Sequence, residues 1–126
     1  GVRTAFLSGR RSDATAQRAR DLGVDLLFNG TGEKLPVFMG LLSDLELAAE
    51  EAAYMGDDVN DVECLHAAGL AFAPADAVPE AKASADFVTL NTGGRGAVRE
   101  AADHILRLNM RCVVVGVSDP SGTKRP

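Results

Sequence analysis

The chain has 126 residues, 46% of them hydrophobic, enough for one compact core and too few Pro and Gly for disorder. Its net charge of −5, with no Trp and one Tyr, lacks the basic, aromatic-rich surface of a nucleic-acid binder. No apolar run approaches the roughly twenty residues of a membrane span, and Gly1-Val2-Arg3-Thr4 opens into a strand rather than a charged leader, so a cytoplasmic protein is expected.

Taken in order, the elements alternate. Val2 to Leu7 predicts a strand, Ser8-Gly9-Arg10-Arg11 a loop, and Ser12 the cap of a helix that stops at Gly23. Val24 to Phe28 predicts a second strand and Asn29 to Glu33 a loop. Pro36 suits the first turn of a helix that buries Phe38, Leu41, Leu42 and Leu45. Glu51 to Met55 is the third strand, Val59 to Ala68 a helix ended by Gly69, Leu70 to Ala73 the fourth strand and Asp86 to Leu90 the fifth. Arg95 to Leu108 is the last helix, with Val98, Ala101, Ala102, Ile105 and Leu108 on one side. Short connections between alternating strands and helices imply an α/β fold with a mainly parallel sheet covered on both faces. Residues 109–126 are set apart as a C-terminal tail, although Arg111 to Pro120 also reads as a strand-like run.

The chemistry concentrates in Gly56-Asp57-Asp58-Val59-Asn60-Asp61, where an apolar strand gives way to three carboxylates within five positions. Like charges so close are costly unless a cation or proton is shared, which points to a divalent metal such as Mg²⁺. Asp58 or Asn60 could instead simply cap the following helix. In a parallel α/β sheet ligands sit beyond the carboxyl ends of the strands. Ser8-Gly9-Arg10, the loop ending at Lys34, the Asp57–Asp61 cluster and Pro74-Ala75-Asp76 all fall on that rim. A hydroxyl, a lysine and carboxylates together suit a phosphorylated ligand. Cys64 and Cys112 lack metal-ligand spacing and read as buried thiols. His66 and His104 read as packing or surface residues, and Arg11 is as well explained by solvent exposure.

Ser8-Gly9-Arg10, Lys34 ahead of a helix, and Gly56-Asp57-Asp58 with Asp61 resemble, in order, the second, third and fourth motifs of the haloacid dehalogenase superfamily of phosphatases. Thr31-Gly32-Glu33-Lys34, Pro74-Ala75-Asp76-Ala77 and Gly93-Gly94-Arg95-Gly96-Ala97-Val98-Arg99-Glu100 are similar to its capless subgroup acting on phosphorylated keto sugar acids of lipopolysaccharide and sialic acid synthesis. The chain also resembles the C-terminal module of acylneuraminate cytidylyltransferases, where an assembly role would be implied.

The resemblance implies a Rossmannoid three-layer core over residues 1–108 and Mg²⁺-dependent hydrolysis of the terminal phosphate of 3-deoxy-D-manno-octulosonate 8-phosphate or a nonulosonate 9-phosphate. It implies Asp57 as a metal ligand, Asp58 and Asp61 in the outer shell, and Lys34 and Ser8 as catalytic groups. Ser8, Gly9, Arg10, Lys34 and Arg95 would bind substrate. A homo-oligomer, by resemblance a tetramer, is implied. The family's nucleophile lies in an Asp-x-Asp motif on a central strand expected before Val2, so the chain is expected to be N-terminally truncated, inactive alone and without the middle strand of its sheet. A permuted nucleophile strand at the other end would need aspartates where Gly116 and Ser118 stand.

Overall fold

The computed structural model describes residues 2–9, 13–29, 33–93, 95–105, 108 and 110–117. Among these residues six strands and five α-helices alternate: β1 Arg3–Ser8, α1 Asp13–Leu22, β2 Leu26–Asn29, α2 Lys34–Asp44, β3 Ala52–Met55, α3 Val62–Ala67, β4 Leu70–Ala73, α4 Pro79–Ser84, β5 Phe87–Val88, α5 Ala97–Ile105 and β6 Cys112–Val117. The strands form one sheet in the order β2-β1-β6-β3-β4-β5, parallel throughout. The expected α/β class and parallel sheet are what the chain adopts.

Two apolar layers flank the sheet. On one face Ala5, Leu7, Tyr54, Ala71 and Val114 pack against Phe38, Leu41 and Leu42 of α2, Cys64 and Leu65 of α3, and Ala81 of α4. On the other, Ala53, Met55 and Phe72 pack against Ala97, Ala101 and Ile105 of α5, with Val113 and Val115 alongside. Successive strand residues point to opposite faces, which sends Tyr54 to the first layer and its neighbours Ala53 and Met55 to the second. The second layer leaves a groove of about 780 Å³ that runs along β6 and is bordered by residues of α1 and α5; Val113, Val115 and Val117 line it and are only half-buried.

Two expectations are corrected. The sheet does not lack its middle strand, because Cys112–Val117, assigned to a tail, forms β6 between β1 and β3. The physical reason is the alternating valine run: β6 hydrogen-bonds on both edges and buries Cys112 and Val114 completely. The pairing is in register with the site, with Ser8 opposite Val117 and Leu7 opposite Gly116. The second correction is α4, which the sequence reading passed over. Pro79 stands in its first turn, where a missing N–H costs nothing. The carbonyl of Asp57 accepts the Val78 N–H at 3.0 Å, which ties the entry to α4 to the acidic loop.

Helix limits shift at their ends. Val59–Asp61 is a 3₁₀ turn before α3 rather than the opening of one continuous helix, and α5 starts at Ala97 and is described to Ile105. Leu45 lies just past α2 at its C-cap and is only partly buried. The proposed Ser12 cap falls outside the described residues. No helix among the described residues is long and apolar enough to cross a membrane.

Candidate active site

The carboxyl ends of β1, β6 and β3 meet the start of α2, and a buried polar network fills the junction. Lys34 is the first residue of α2 and only 2% exposed. A cation at a helix N-terminus opposes the helix dipole, and burial removes the water that would otherwise solvate it. Asp61 answers both costs: its Oδ1 accepts Lys34 Nζ at 3.0 Å, with both side chains fully buried. The lysine also donates to the Val117 carbonyl at 3.3 Å.

Asp61 is saturated as an acceptor. Oδ1 takes the Tyr54 hydroxyl at 2.6 Å as well as Lys34, and Oδ2 takes the N–H groups of Asp57 at 3.1 Å and Asp58 at 3.2 Å. A carboxylate offers about four lone-pair positions, and all are used. Asp61 therefore clamps the acidic loop to Lys34 instead of facing a ligand. Asp58 Oδ1 accepts the Val59 N–H at 2.7 Å and so caps the 3₁₀ turn. Asp57 is half-buried and lines the groove.

Two glycines make this closeness possible. An added Cβ on Gly56 would collide with the Asp61 side chain, and one on Gly116 would overlap Asp61 Oδ1 and the Tyr54 hydroxyl. Only backbone fits between the strands at these points. Burial, followed by the Asp61 charge, pushes the Tyr54 phenol far above its ordinary value, so it stays a donor. Burial likewise raises the Cys64 thiol beneath Tyr54 to about 11.

The structure brings Ser8, Lys34, Asp57, Asp58 and Asp61 together. Ser8 is fully buried at the end of β1, opposite the Val117 whose carbonyl Lys34 holds. Gly9 follows it, half-buried. Arg95 is exposed and lines the groove that Asp57 also lines. Arg10 lies outside the described residues, as do Arg11, Thr31 and Gly32. Tyr54 belongs to the network and was not singled out from sequence, and Gly116, noted there only as a position lacking an aspartate, lies against it. The available signal for Tyr54 was a hydroxyl inside an otherwise apolar strand, which needs a buried partner.

Among the described residues no three Asp, Glu, His or Cys side chains are grouped to hold a metal ion by themselves. Mg²⁺ does not require such a cage: it keeps several waters and is commonly bound by one or two carboxylates and phosphate oxygens. Asp57, a hard oxygen donor beside a groove, fits that demand, and Asp61 supports it from behind.

Residues 28–101, more than half of the chain, match a family profile described as haloacid dehalogenase-like hydrolase. The 3-deoxy-D-manno-octulosonate 8-phosphate phosphatase KdsC of Escherichia coli K12 is 41% identical over 105 residues, 83% of this chain and 56% of that protein. The chain thus spans about half the length of the curated relatives it matches. The structure of 3-deoxy-D-manno-octulosonate 8-phosphate phosphatase from Moraxella catarrhalis, in complex with a magnesium ion, a phosphate ion and a KDO molecule, is similar with a TM-score of 0.81 and 34% identity over 85% of this chain and 62% of that one. The cobalt-bound phosphatase YrbI from Haemophilus influenzae gives 0.78 and 40% over 85% and 63%. Magnesium and cobalt in these neighbours agree with the divalent cofactor expected from sequence. By profile, identity and fold, the chain belongs to the haloacid dehalogenase-like hydrolase family.

Proposed function

We propose that this chain is the core of a Mg²⁺-dependent phosphatase that removes the terminal phosphate from an acidic keto sugar, 3-deoxy-D-manno-octulosonate 8-phosphate or a nonulosonate 9-phosphate. The observation that carries the reading is the convergence of Ser8, Lys34 and Asp57 at one end of the sheet, with Asp61 linking the last two. Ser8 and the Gly9 N–H take phosphoryl oxygens. Lys34, fixed by Asp61, places a positive charge where negative charge builds during transfer. Asp57 holds Mg²⁺, with Asp58 and Asp61 behind it, and the ion, when bound, neutralises phosphoryl charge and orients the group for in-line displacement. Arg95, and Arg10 by the same reading, bind the sugar-acid carboxylate in a guanidinium fork.

No two aspartates in this sequence stand two residues apart, so on this reading the chain by itself lacks the attacking carboxylate and does not turn over. The same reading makes the protein a cytoplasmic homo-oligomer, a tetramer by resemblance. Nothing observed favours a cytidylyltransferase module. The test is a phosphate-release assay on a version extended upstream with an Asp-x-Asp strand, comparing eight- and nine-carbon sugar-acid phosphates with Mg²⁺ and with chelator. Release that needs Mg²⁺ and Lys34 is expected; no release from either substrate refutes the reading.

A further inference from the structure

The loop after β5 is held by carboxylates that the catalytic reading leaves unused. β5 has only two residues, and Thr89 to Gly93 follow it well ahead of α5. Such a segment has little sheet to hold it. Glu100, one turn into α5, supplies the anchor: its Oε1 and Oε2 accept the Leu90 N–H at 3.1 and 2.9 Å, and Oε1 also accepts the Asn91 N–H at 3.0 Å and Asn91 Nδ2 at 3.1 Å. These charge-assisted bonds to backbone donors are stronger than neutral ones. They hold the Glu100 carboxyl below its ordinary value, the Leu90 N–H first among the causes.

The Asn91 carbonyl in turn accepts the Thr89 hydroxyl at 2.7 Å and the Ala75 N–H at 3.1 Å, while Asp76 Oδ1 accepts the Gly93 N–H at 2.8 Å. Asn91 is thus joined both to α5 and to the loop after β4. Through Val78, that loop is bonded to the Asp57 carbonyl. Arg95 sits four residues beyond Asn91, its N–H on the Thr92 carbonyl at 3.0 Å. It is exposed and forms no ion pair among the described residues. Of the nearby carboxylates, Glu100 commits both oxygens to the Leu90–Asn91 turn and Asp76 commits Oδ1 to the Gly93 N–H. Arg95 thus lines the same groove as Asp57 without a salt-bridge partner among the described residues.

We infer that Glu100 is a positioning residue for substrate selection: by fixing the Leu90–Asn91 turn it sets Arg95 against the carboxylate of a sugar-acid phosphate, at a distance from the phosphoryl end. The inference rests on the phosphatase reading and assigns Glu100 no part in the phosphoryl chemistry.

The test uses the chain itself, with Mg²⁺, and two probes measured by calorimetry: inorganic phosphate, which needs only the Ser8–Lys34–Asp57 end, and 3-deoxy-D-manno-octulosonate 8-phosphate, which engages both. Glu100→Ala should weaken the sugar-acid phosphate about tenfold or more, the scale seen when the supporting partner of a ligand-holding group is lost, and leave phosphate affinity within a factor of about two. Glu100→Gln keeps an acceptor oxygen for the two N–H groups and should restore most of the loss. Arg95→Ala should reproduce the Glu100→Ala pattern without disturbing the turn. A merely structural Glu100 would move both probes together, and that result overturns the inference, as does unchanged sugar-acid affinity in Glu100→Ala. A wild-type chain that binds neither probe overturns the phosphatase reading itself, an outcome distinct from either.

Discussion

The Lys34–Asp61 pair gives the sharpest quantitative consequence. In Asp61→Ala four donors lose their acceptor at once: Lys34, the Tyr54 hydroxyl and the Asp57 and Asp58 N–H groups. The lysine side chain is fully buried and keeps only the Val117 carbonyl. Breaking a buried pair by removing one partner costs about 3–5 kcal/mol, because the remaining charge is neither solvated nor neutralised. Against a total stability of about 5–15 kcal/mol for a domain, that is about a fifth or more of what holds it folded. Lys34→Met should cost less, near the lower end, since the orphaned carboxylate retains the Tyr54 hydroxyl and two N–H donors. In Lys34→Met/Asp61→Ala no ion is left buried, and removing both members of a buried pair avoids the cost of an orphaned charge. The double variant should then be more stable than the sum of the single losses by about 2 kcal/mol or more. Urea unfolding followed by circular dichroism measures all four proteins, with midpoints compared at constant slope. Additive losses, or an Asp61→Ala cost below about 1 kcal/mol, would refute the claim that this carboxylate anchors a buried charge.

Two further outcomes follow from burial and close contact. Burial raises both the Cys64 and Cys112 thiols from 9.0 to about 11, so the folded state keeps protons that the unfolded chain has released. Their stabilising contribution is complete below pH 9 and is lost as pH rises toward 11; urea midpoints should fall over that window, and Cys64→Ala or Cys112→Ala should flatten the fall. Gly116→Ala forces a methyl into the Asp61–Tyr54 contact and should cost about 1–3 kcal/mol. Gly40→Ala, on the exposed side of α2 with open space at the added atom, should instead stabilise by about 0.5–1 kcal/mol. A lowered thermal midpoint for both glycine variants, or for neither, would show that the contact at Gly116 has been misjudged.

Much of this architecture is legible in the residues. Apolar runs punctuated by Gly23 and Gly69 locate β1 to β4 to within two residues, because local periodicity and turn chemistry fix where an element stops. Lys34 and the acidic cluster could be assigned to one rim because parallel strands all end on the same side. What local pattern does not encode is which strands become neighbours. Nothing in Cys112-Val113-Val114-Val115-Gly116-Val117 says that it pairs with β1 and β3, whose residues lie some sixty to a hundred positions earlier. The six residues of α4 were too few for a periodic signal. Tyr54 escaped because an aromatic in an apolar strand is ordinarily core, and only its height relative to Asp61 turns its hydroxyl into part of the site.

The place of β6 bears on where the nucleophile strand that the proposed function calls for would sit. Strands in a sheet stand about 4.8 Å apart, so the space between β1 and β3 admits one strand and no more. β6 fills it, paired on both edges, and its Val117 carbonyl occupies one of the Lys34 donors that the proposed function assigns to phosphate. A carboxylate carried on a strand could reach Lys34 from the sheet only by taking that slot. On the proposed function, an upstream Asp-x-Asp strand and β6 would compete for that slot, and turnover in the extended protein is expected to come with loss of the β6 pairing and exposure of Cys112, now 0% accessible, to thiol reagents. Gly116 is consistent with this geometry: the slot is shaped by Asp61 and Tyr54 so tightly that backbone alone passes at that point. A side chain at the height of Gly116 and facing Asp61 would meet that carboxylate and the Tyr54 hydroxyl, so a reacting carboxylate on a strand in this slot is expected nearer the rim where Ser8 and Asp57 stand.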